Sequence, residues 1–110
     1  MASPVLADET DQYRLFAVHI AEHYHLPRET FLATINCESR WNPTAVGDRG
    51  TSYGLAQFRF PERDWGFTKE SALNPYFAIA QMGLAWSKGL QKKWSCYHIV
   101  LATYQHPWGS

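Results

Sequence analysis

The chain has 110 residues, which is the length of one domain with a single hydrophobic core. Its 10 basic and 10 acidic residues cancel, which argues against a surface that binds nucleic-acid phosphates. No stretch is long and apolar enough to span a membrane, and residues 1–10 lack the pattern of a signal peptide. We expect one domain over residues 1–110, and a monomer.

The first predicted helix covers residues 11–26, where apolar side chains recur at helical spacing. It contains His19-Ile-Ala-Glu22-His23, which matches the H-x-x-E-H pattern of inverted zinc peptidases. Because His19 and Glu22 lie away from the apolar face, and no third ligand stands out downstream, we expect a solvated face. We therefore predict no metal site and no cofactor. The apolar face consists of Tyr13, Phe16, Ala17, Ile20 and Tyr24.

The second predicted helix runs from Pro27 to about Arg40 and carries a glutamate on its apolar face. Phe31, Ile35 and Glu38 are spaced so that they share one side of the helix. Glu38 should therefore lie against the core, where lost hydration disfavours the charged form and raises the pKa. A carboxyl group that is partly protonated near neutral pH can act as a general acid. The alternative is a structural glutamate that caps the helix or pairs with a nearby arginine.

A loop rich in turn residues follows this helix. Asn42-Pro43 ends the helix, because the residue before a proline is disfavoured in helical conformation. Glycines at positions 47, 50 and 54 permit backbone conformations that a side chain would strain. Such a loop can fold back over the end of the helix. We therefore expect Ser52, Tyr53 and Gln57 to lie near the carboxyl group of the helix.

Residues 38–57 read E-S-R-W-N-P-T-A-V-G-D-R-G-T-S-Y-G-L-A-Q. This stretch resembles E-S-x-x-N-P-x-A-x-S-x-x-G-A-x-G-L-M-Q, the signature of lytic transglycosylases with a soluble-lytic-transglycosylase (SLT-type, goose-lysozyme-like) catalytic domain. Gly47 replaces the usual serine, Ala56 replaces the usual methionine, and one residue is inserted between Gly50 and Gly54. The matching positions are Glu38, Ser39, Asn42, Pro43, Ala45, Gly50, Gly54, Leu55 and Gln57.

The resemblance implies a mainly α, lysozyme-like domain of about five helices with a loop-rich active-site groove. We expect residues 58–73 to be irregular apart from a short helical turn, with Trp65 and Phe67 in the core rather than in a groove wall. Asn74-Pro75 predicts the start of a helix that reaches residue 91. Gly83 lies on its apolar face, which predicts a close crossing with another helix. A last helix is predicted from about residue 94 to 105.

The resemblance also implies the chemistry. In the family, one glutamate protonates the glycosidic oxygen between N-acetylmuramic acid and N-acetylglucosamine of peptidoglycan. It then acts as a base toward the 6-hydroxyl group of the same sugar, which gives a 1,6-anhydro product. Glu38 matches this glutamate. The segment L-A-T-Y-Q resembles one whose tyrosine lies beside the catalytic glutamate, which implies that role for Tyr104. The implied glycan contacts are Ser52, Tyr53, Gln57 and Gln105.

The resemblance further implies action on peptidoglycan strands in the cell envelope, by a periplasmic, secreted or phage-delivered protein. Two other functions are compatible with the same residues. A lysozyme-type hydrolase of peptidoglycan or chitin would use a second carboxylate, for which Asp48 and Asp64 are candidates. A module that binds glycans without cleaving them would have no need of a partly buried acid such as Glu38.

Two cysteines, Cys37 and Cys96, fall on predicted helices. A disulfide between them would brace the second and last helices, as expected in an oxidising compartment. Two buried free thiols are the alternative. The sequence leaves both open.

Overall fold

The computed structural model describes residues 5–60 and 65–105, with side chains described for 9–60 and 65–103. This part of the chain contains five α-helices, a short 3₁₀-helix at Gln91–Lys93, and three two-residue strands. The expected mainly α fold of about five helices is therefore confirmed. The helices are α1 (Val5–His23), α2 (Arg28–Ser39), α3 (Lys69–Ala72), α4 (Pro75–Ser87) and α5 (Ser95–Gln105). The strands are β1 (Val46–Gly47), β2 (Ser52–Tyr53) and β3 (Phe58–Arg59).

The four longer helices enclose one hydrophobic core. Helix α1 packs against α2 and α4, and α2 packs against α5. A Cβ atom at Gly83 in α4 would lie 2.2 Å from Cγ2 of Ile20 in α1, so only glycine allows this approach. The close crossing predicted at Gly83 is confirmed. The largest fully buried apolar side chains are Phe31, Ile35, Leu55, Phe58, Ile79 and Met82.

Helix α4 starts where the sequence predicts but ends earlier. The Asn74 side chain accepts hydrogen bonds from the backbone N–H groups of Tyr76 and Phe77, at 3.0 and 3.1 Å. The helix stops at Ser87 because Gly89 takes a φ of 83°. The following N–H group, of Leu90, then donates to the Ala85 carbonyl at 3.0 Å, which closes the helix end.

The bounds of α1 and the content of residues 58–73 also differ from the sequence prediction. Helix α1 begins earlier than predicted, at Val5. It also ends earlier, at His23, because His25 takes a φ of 57° and turns the chain. In residues 58–73, α3 is the short helical turn that the sequence predicts, whereas β3 was not predicted. Helix α3 begins after Thr68, whose side-chain oxygen accepts a hydrogen bond from the Ser71 N–H at 3.1 Å.

The three strands form a small antiparallel sheet in the order β1-β2-β3. Val46 pairs with Tyr53, and Ser52 pairs with Arg59. The turn after β2 packs tightly, since a Cβ atom at Gly54 would lie 2.1 Å from the Ala72 carbonyl oxygen. This contact fixes the sheet against α3.

A disulfide joins Cys37 in α2 to Cys96 in α5, with their Cα atoms 5.9 Å apart. The structure thus contains the bridge that the sequence left open. Within the described residues, no helix is both long and apolar enough to cross a membrane.

Candidate active site

A cavity of about 470 Å³ lies where the end of α2, the start of α5 and the small sheet meet. Polar and charged side chains predominate in its lining, together with two tryptophans. The residues that line it are Glu38, Asp48, Ser52, Gln57, Arg59, Trp65, Lys93, Trp94 and Ser95.

Glu38 lies in the last turn of α2, which ends because Arg40 takes a left-handed conformation with φ of 54°. The Glu38 side chain is half-buried, and its Oε2 accepts a hydrogen bond from the backbone N–H of Cys96 at 3.2 Å. Cys96 belongs to the first turn of α5, where backbone N–H groups have no partner within the helix. The disulfide joins Cys96 to Cys37, the residue before Glu38. A covalent bond and a hydrogen bond therefore connect α2 to α5 at the same place.

The pKa of Glu38 is raised above its ordinary value, mainly because burial removes water from the carboxyl group. The hydrogen bond from the Cys96 N–H opposes this and lowers the pKa, whereas the charge of Asp48 raises it further. The carboxyl group therefore keeps its proton to a higher pH than a solvated glutamate does. It also has a fixed backbone donor for the carboxylate that remains after proton transfer.

Asp48 brings a second carboxylate to the cavity, on the loop between β1 and β2. Its Oδ2 accepts a hydrogen bond from Oγ of the buried Ser52, at 2.5 Å. The loop turns sharply here, since Asp48, Arg49 and Gly50 have φ angles of 52°, 61° and 91°. The Ser52 hydroxyl group and the Asp48 carboxylate therefore enter the cavity as a hydrogen-bonded pair.

Gln57 holds the opposite end of the loop. Its Nε2 donates to the carbonyl oxygens of Ala45 and Gly54, at 3.1 and 2.9 Å. A Cβ atom at Gly47 would lie 2.4 Å from Gln57 Oε1. Glycine at position 47 therefore leaves room for the Gln57 amide. This is a physical reason why glycine stands where the family signature has serine.

A comparison with protein-family models matches residues 16–105 to the transglycosylase SLT domain. The chain belongs to the transglycosylase SLT domain family. This confirms the resemblance and the lysozyme-like α fold. Neither the curated proteins nor the solved structures contain a match. At the level of the family, membership indicates an enzyme of the lytic-transglycosylase type that acts on peptidoglycan, in the periplasm or outside the cell.

The SLT domain brings three of the predicted site residues into one cavity, namely Glu38, Ser52 and Gln57. Tyr53 is not among the residues that line it. Its hydroxyl group donates to the Gly50 carbonyl at 2.5 Å, and the Lys69 ammonium group lies 5.1 Å from its ring centre.

Three further predictions fall on parts of the SLT domain that are not described. Tyr104 and Gln105 belong to the last turn of α5, but their side chains lie outside the described residues. Asp64, the other candidate for a second carboxylate, also lies outside them. The roles suggested for these three residues stay predictions.

Trp65 lies at the cavity and also packs against the core, and the core was the position that the sequence favoured. It is partly exposed and lines the cavity, while its ring packs edge-on against Phe58, with centroids 4.8 Å apart. Its Nε1 donates to the Arg59 carbonyl oxygen at 3.0 Å. Phe67 packs against the same Phe58 ring, at 4.9 Å, so it contacts the core as predicted.

Four further residues line the cavity and were not predicted from the sequence, namely Arg59, Lys93, Trp94 and Ser95. Trp94 connects the start of α5 to the loop, because its Nε1 donates to the Ala56 carbonyl oxygen at 2.8 Å. The available signal was a basic and aromatic cluster, K-K-W, directly before a predicted helix. Nothing in its spacing relates that cluster to Glu38, which lies far away along the chain.

The H-x-x-E-H stretch lies on the outer side of α1. His19, Glu22 and His23 are all exposed, as expected for a solvated face. Within residues 5–60 and 65–105, no group of three or more histidine, cysteine or acidic side chains is arranged to hold a metal ion.

Proposed function

We propose that this SLT domain cleaves the β-1,4 bond between N-acetylmuramic acid and N-acetylglucosamine, with Glu38 as its single acid and base. The observation that carries this proposal is the position of Glu38. It is half-buried at the cavity and touches the N-terminus of α5, and its pKa is raised by desolvation. A carboxyl group in such a place can first give up a proton and then take one back.

The reaction begins with proton transfer from Glu38 to the glycosidic oxygen. The bond from that oxygen to C1 of the muramic acid then breaks, and positive charge develops on the sugar ring. The Glu38 carboxylate formed in this step is stabilised by the Cys96 N–H and by the positive end of α5. It next removes the proton of the 6-hydroxyl group as O6 bonds to C1. The product is a 1,6-anhydro sugar, and Glu38 is protonated again.

We assign the glycan contacts to Ser52 and Gln57, which line the cavity. The Ser52 hydroxyl and the Gln57 amide supply polar atoms, while Trp65 and Trp94 supply flat faces on which sugar rings can stack. Tyr53 and Gln105 remain proposed contacts through the family resemblance. On the same basis, Tyr104 orients Glu38.

Hydrolysis is a second candidate, because Asp48 lines the same cavity as Glu38. The two carboxyl groups interact, since the charge of Asp48 raises the pKa of Glu38. In a hydrolase, Asp48 would activate a water molecule or attack the sugar directly. The product would then carry a reducing end instead of an anhydro ring.

Mass analysis of the products from purified peptidoglycan distinguishes these reactions. We expect the wild type to release muropeptides that lack one water, and Glu38→Gln to lower the rate about 10³-fold. Asp48→Asn serves as the matched amide substitution and should leave the anhydro product in place. Circular dichroism of each variant shows whether the fold is intact.

Three outcomes would change the proposal. Reducing-end products that depend on Asp48 would establish a hydrolase. Full activity in Glu38→Gln would remove Glu38 from the mechanism. Binding of peptidoglycan without any product from the wild type would show a glycan-binding module.

We further propose that the chain acts as a monomer made of one domain, in contact with peptidoglycan in the cell envelope. Within the described residues, the buried apolar side chains form a cluster inside one chain, between helices that pack on one another. Light scattering at micromolar concentration should give the mass of one chain, and a doubled mass would contradict the monomer.

A further inference from the structure

A second cavity, of about 230 Å³, adjoins the candidate active site. Trp65 and Lys93 line both cavities, so the two lie side by side at these side chains. The second cavity extends from there along α4, as far as Lys88 at the end of that helix. A branched ligand that passes over these two side chains could reach both cavities at once.

The second cavity combines an apolar floor with a basic rim. Phe67 and Leu84 contribute apolar surface, and Gln81 contributes an amide. The side chains of Lys88 and Lys93 are exposed at the edge, where their ammonium groups attract anions. This chemistry fits a short anionic peptide with small apolar side chains, because carboxylates meet lysines and methyl groups meet the floor.

We propose that this second cavity binds the peptide stem that branches from muramic acid. The inference rests on the proposed function, in which the muramic acid occupies the Glu38 cavity. The stem leaves the sugar that is being cleaved, so it must lie next to that cavity. It carries free carboxylates and alanine methyl groups, which match the lysines and the apolar floor. The Gln81 amide can donate to and accept from the peptide backbone.

Lys88 is the residue that tests the proposal, because it lines the second cavity and does not line the first. Lys92 is its matched control: it is an exposed lysine of the adjacent 3₁₀-helix that lines neither cavity. Charge reversal at either position changes the net charge equally. Any difference in KM between Lys88→Glu and Lys92→Glu is therefore due to the position of the charge and not to the net charge.

The experiment compares KM and kcat on two substrates, glycan strands with their peptide stems and the same strands after an amidase has removed the stems. We expect the wild type to have a KM about fivefold lower for the stem-bearing strands, which is the effect of a surface ion pair. Lys88→Glu should abolish this preference, and Lys88→Gln should reduce it. Lys92→Glu should keep it, and kcat should change little in all three variants. The preference should weaken at high salt, since exposed charges are screened.

Equal KM values for both substrates in the wild type would overturn the stem proposal while leaving the proposed function in place. An equal effect of Lys88→Glu and Lys92→Glu would also overturn it, because net charge would then be the cause. Cleavage of neither substrate by the wild type would instead refute the proposed function. Thermal unfolding of each variant identifies any loss that comes from misfolding.

Discussion

The candidate active site has two walls that are held in different ways. The helical wall consists of Glu38 and the first turn of α5, which a disulfide and a hydrogen bond from Cys96 connect. The loop wall consists of residues 48–59, which left-handed backbone conformations and bonds from side chains to the backbone shape. The proposed acid therefore lies on a braced element, while the proposed glycan contacts lie on a turn-rich one. This division suits an enzyme whose proton donor must be positioned more exactly than its sugar contacts.

Removing the disulfide should have the largest effect on stability, and it tests the bracing of the helical wall. The bridge joins residues 59 positions apart, so a Cys37→Ser/Cys96→Ser variant should lose about 4 kcal/mol of unfolding free energy. Urea denaturation measures this loss. Wild type treated with a dithiol reductant should match the double variant. A loss below about 1 kcal/mol would mean that packing alone holds α2 to α5.

The next largest effect should come from Gly54 in the loop wall. Gly54→Ala should cost about 3 kcal/mol, because its φ is 84° and a Cβ atom would lie 2.1 Å from the Ala72 carbonyl oxygen. Gly50→Ala is the matched control, since its φ is 91° and nothing lies within 4 Å of the added atom. That control should cost only about 1 kcal/mol of backbone strain. Equal losses in urea denaturation would show that the contact with α3 does not fix the loop.

A smaller effect concerns the electrostatic contact between the two walls. Asp48 raises the pKa of Glu38, so Asp48→Asn should lower it. In the proposed mechanism Glu38 acts in its protonated form, so activity should fall as pH rises through its pKa. The alkaline limb of kcat/KM should therefore move to lower pH, by less than about one unit.

Asp11→Asn changes an exposed acid on α1 that does not line the cavity, so it removes the same charge and should leave the limb unmoved. A shift of the Asp48→Asn limb toward higher pH would contradict the assignment of the limb to Glu38.

The smallest effect should come from Gly47. In Gly47→Ala the new methyl group displaces the terminal oxygen of the Gln57 side chain, which can rotate away. We expect a stability change within about 1 kcal/mol and a KM about threefold higher. In a Gln57→Ala background the same substitution should have little effect on KM, as a double-mutant cycle can measure. A full effect in that background would mean that Gly47 acts without Gln57.

Features set by neighbours along the chain could be predicted from the sequence. The Asn74-Pro75 helix start, the glycine crossing at position 83 and the position of Glu38 on the apolar face of α2 all depend on local spacing. The helix ends that were wrong, those of α1 and α4, lie where a residue takes a positive φ, at His25 and Gly89. Such a turn depends on a few hydrogen bonds that periodicity does not reveal.

The sequence by itself determined the mainly α fold, the family, and the position of the acid Glu38 on an apolar helical face. The tertiary structure alone decided what surrounds that acid. The N–H donor to Glu38 comes from Cys96, 58 positions away, and Lys93 and Trp94 enter the cavity from the same distant segment. Spacing along one helix fixes the direction of a side chain, because the backbone geometry repeats. It carries no information on which distant segment meets that side chain, since only the packing of the helices brings the two together.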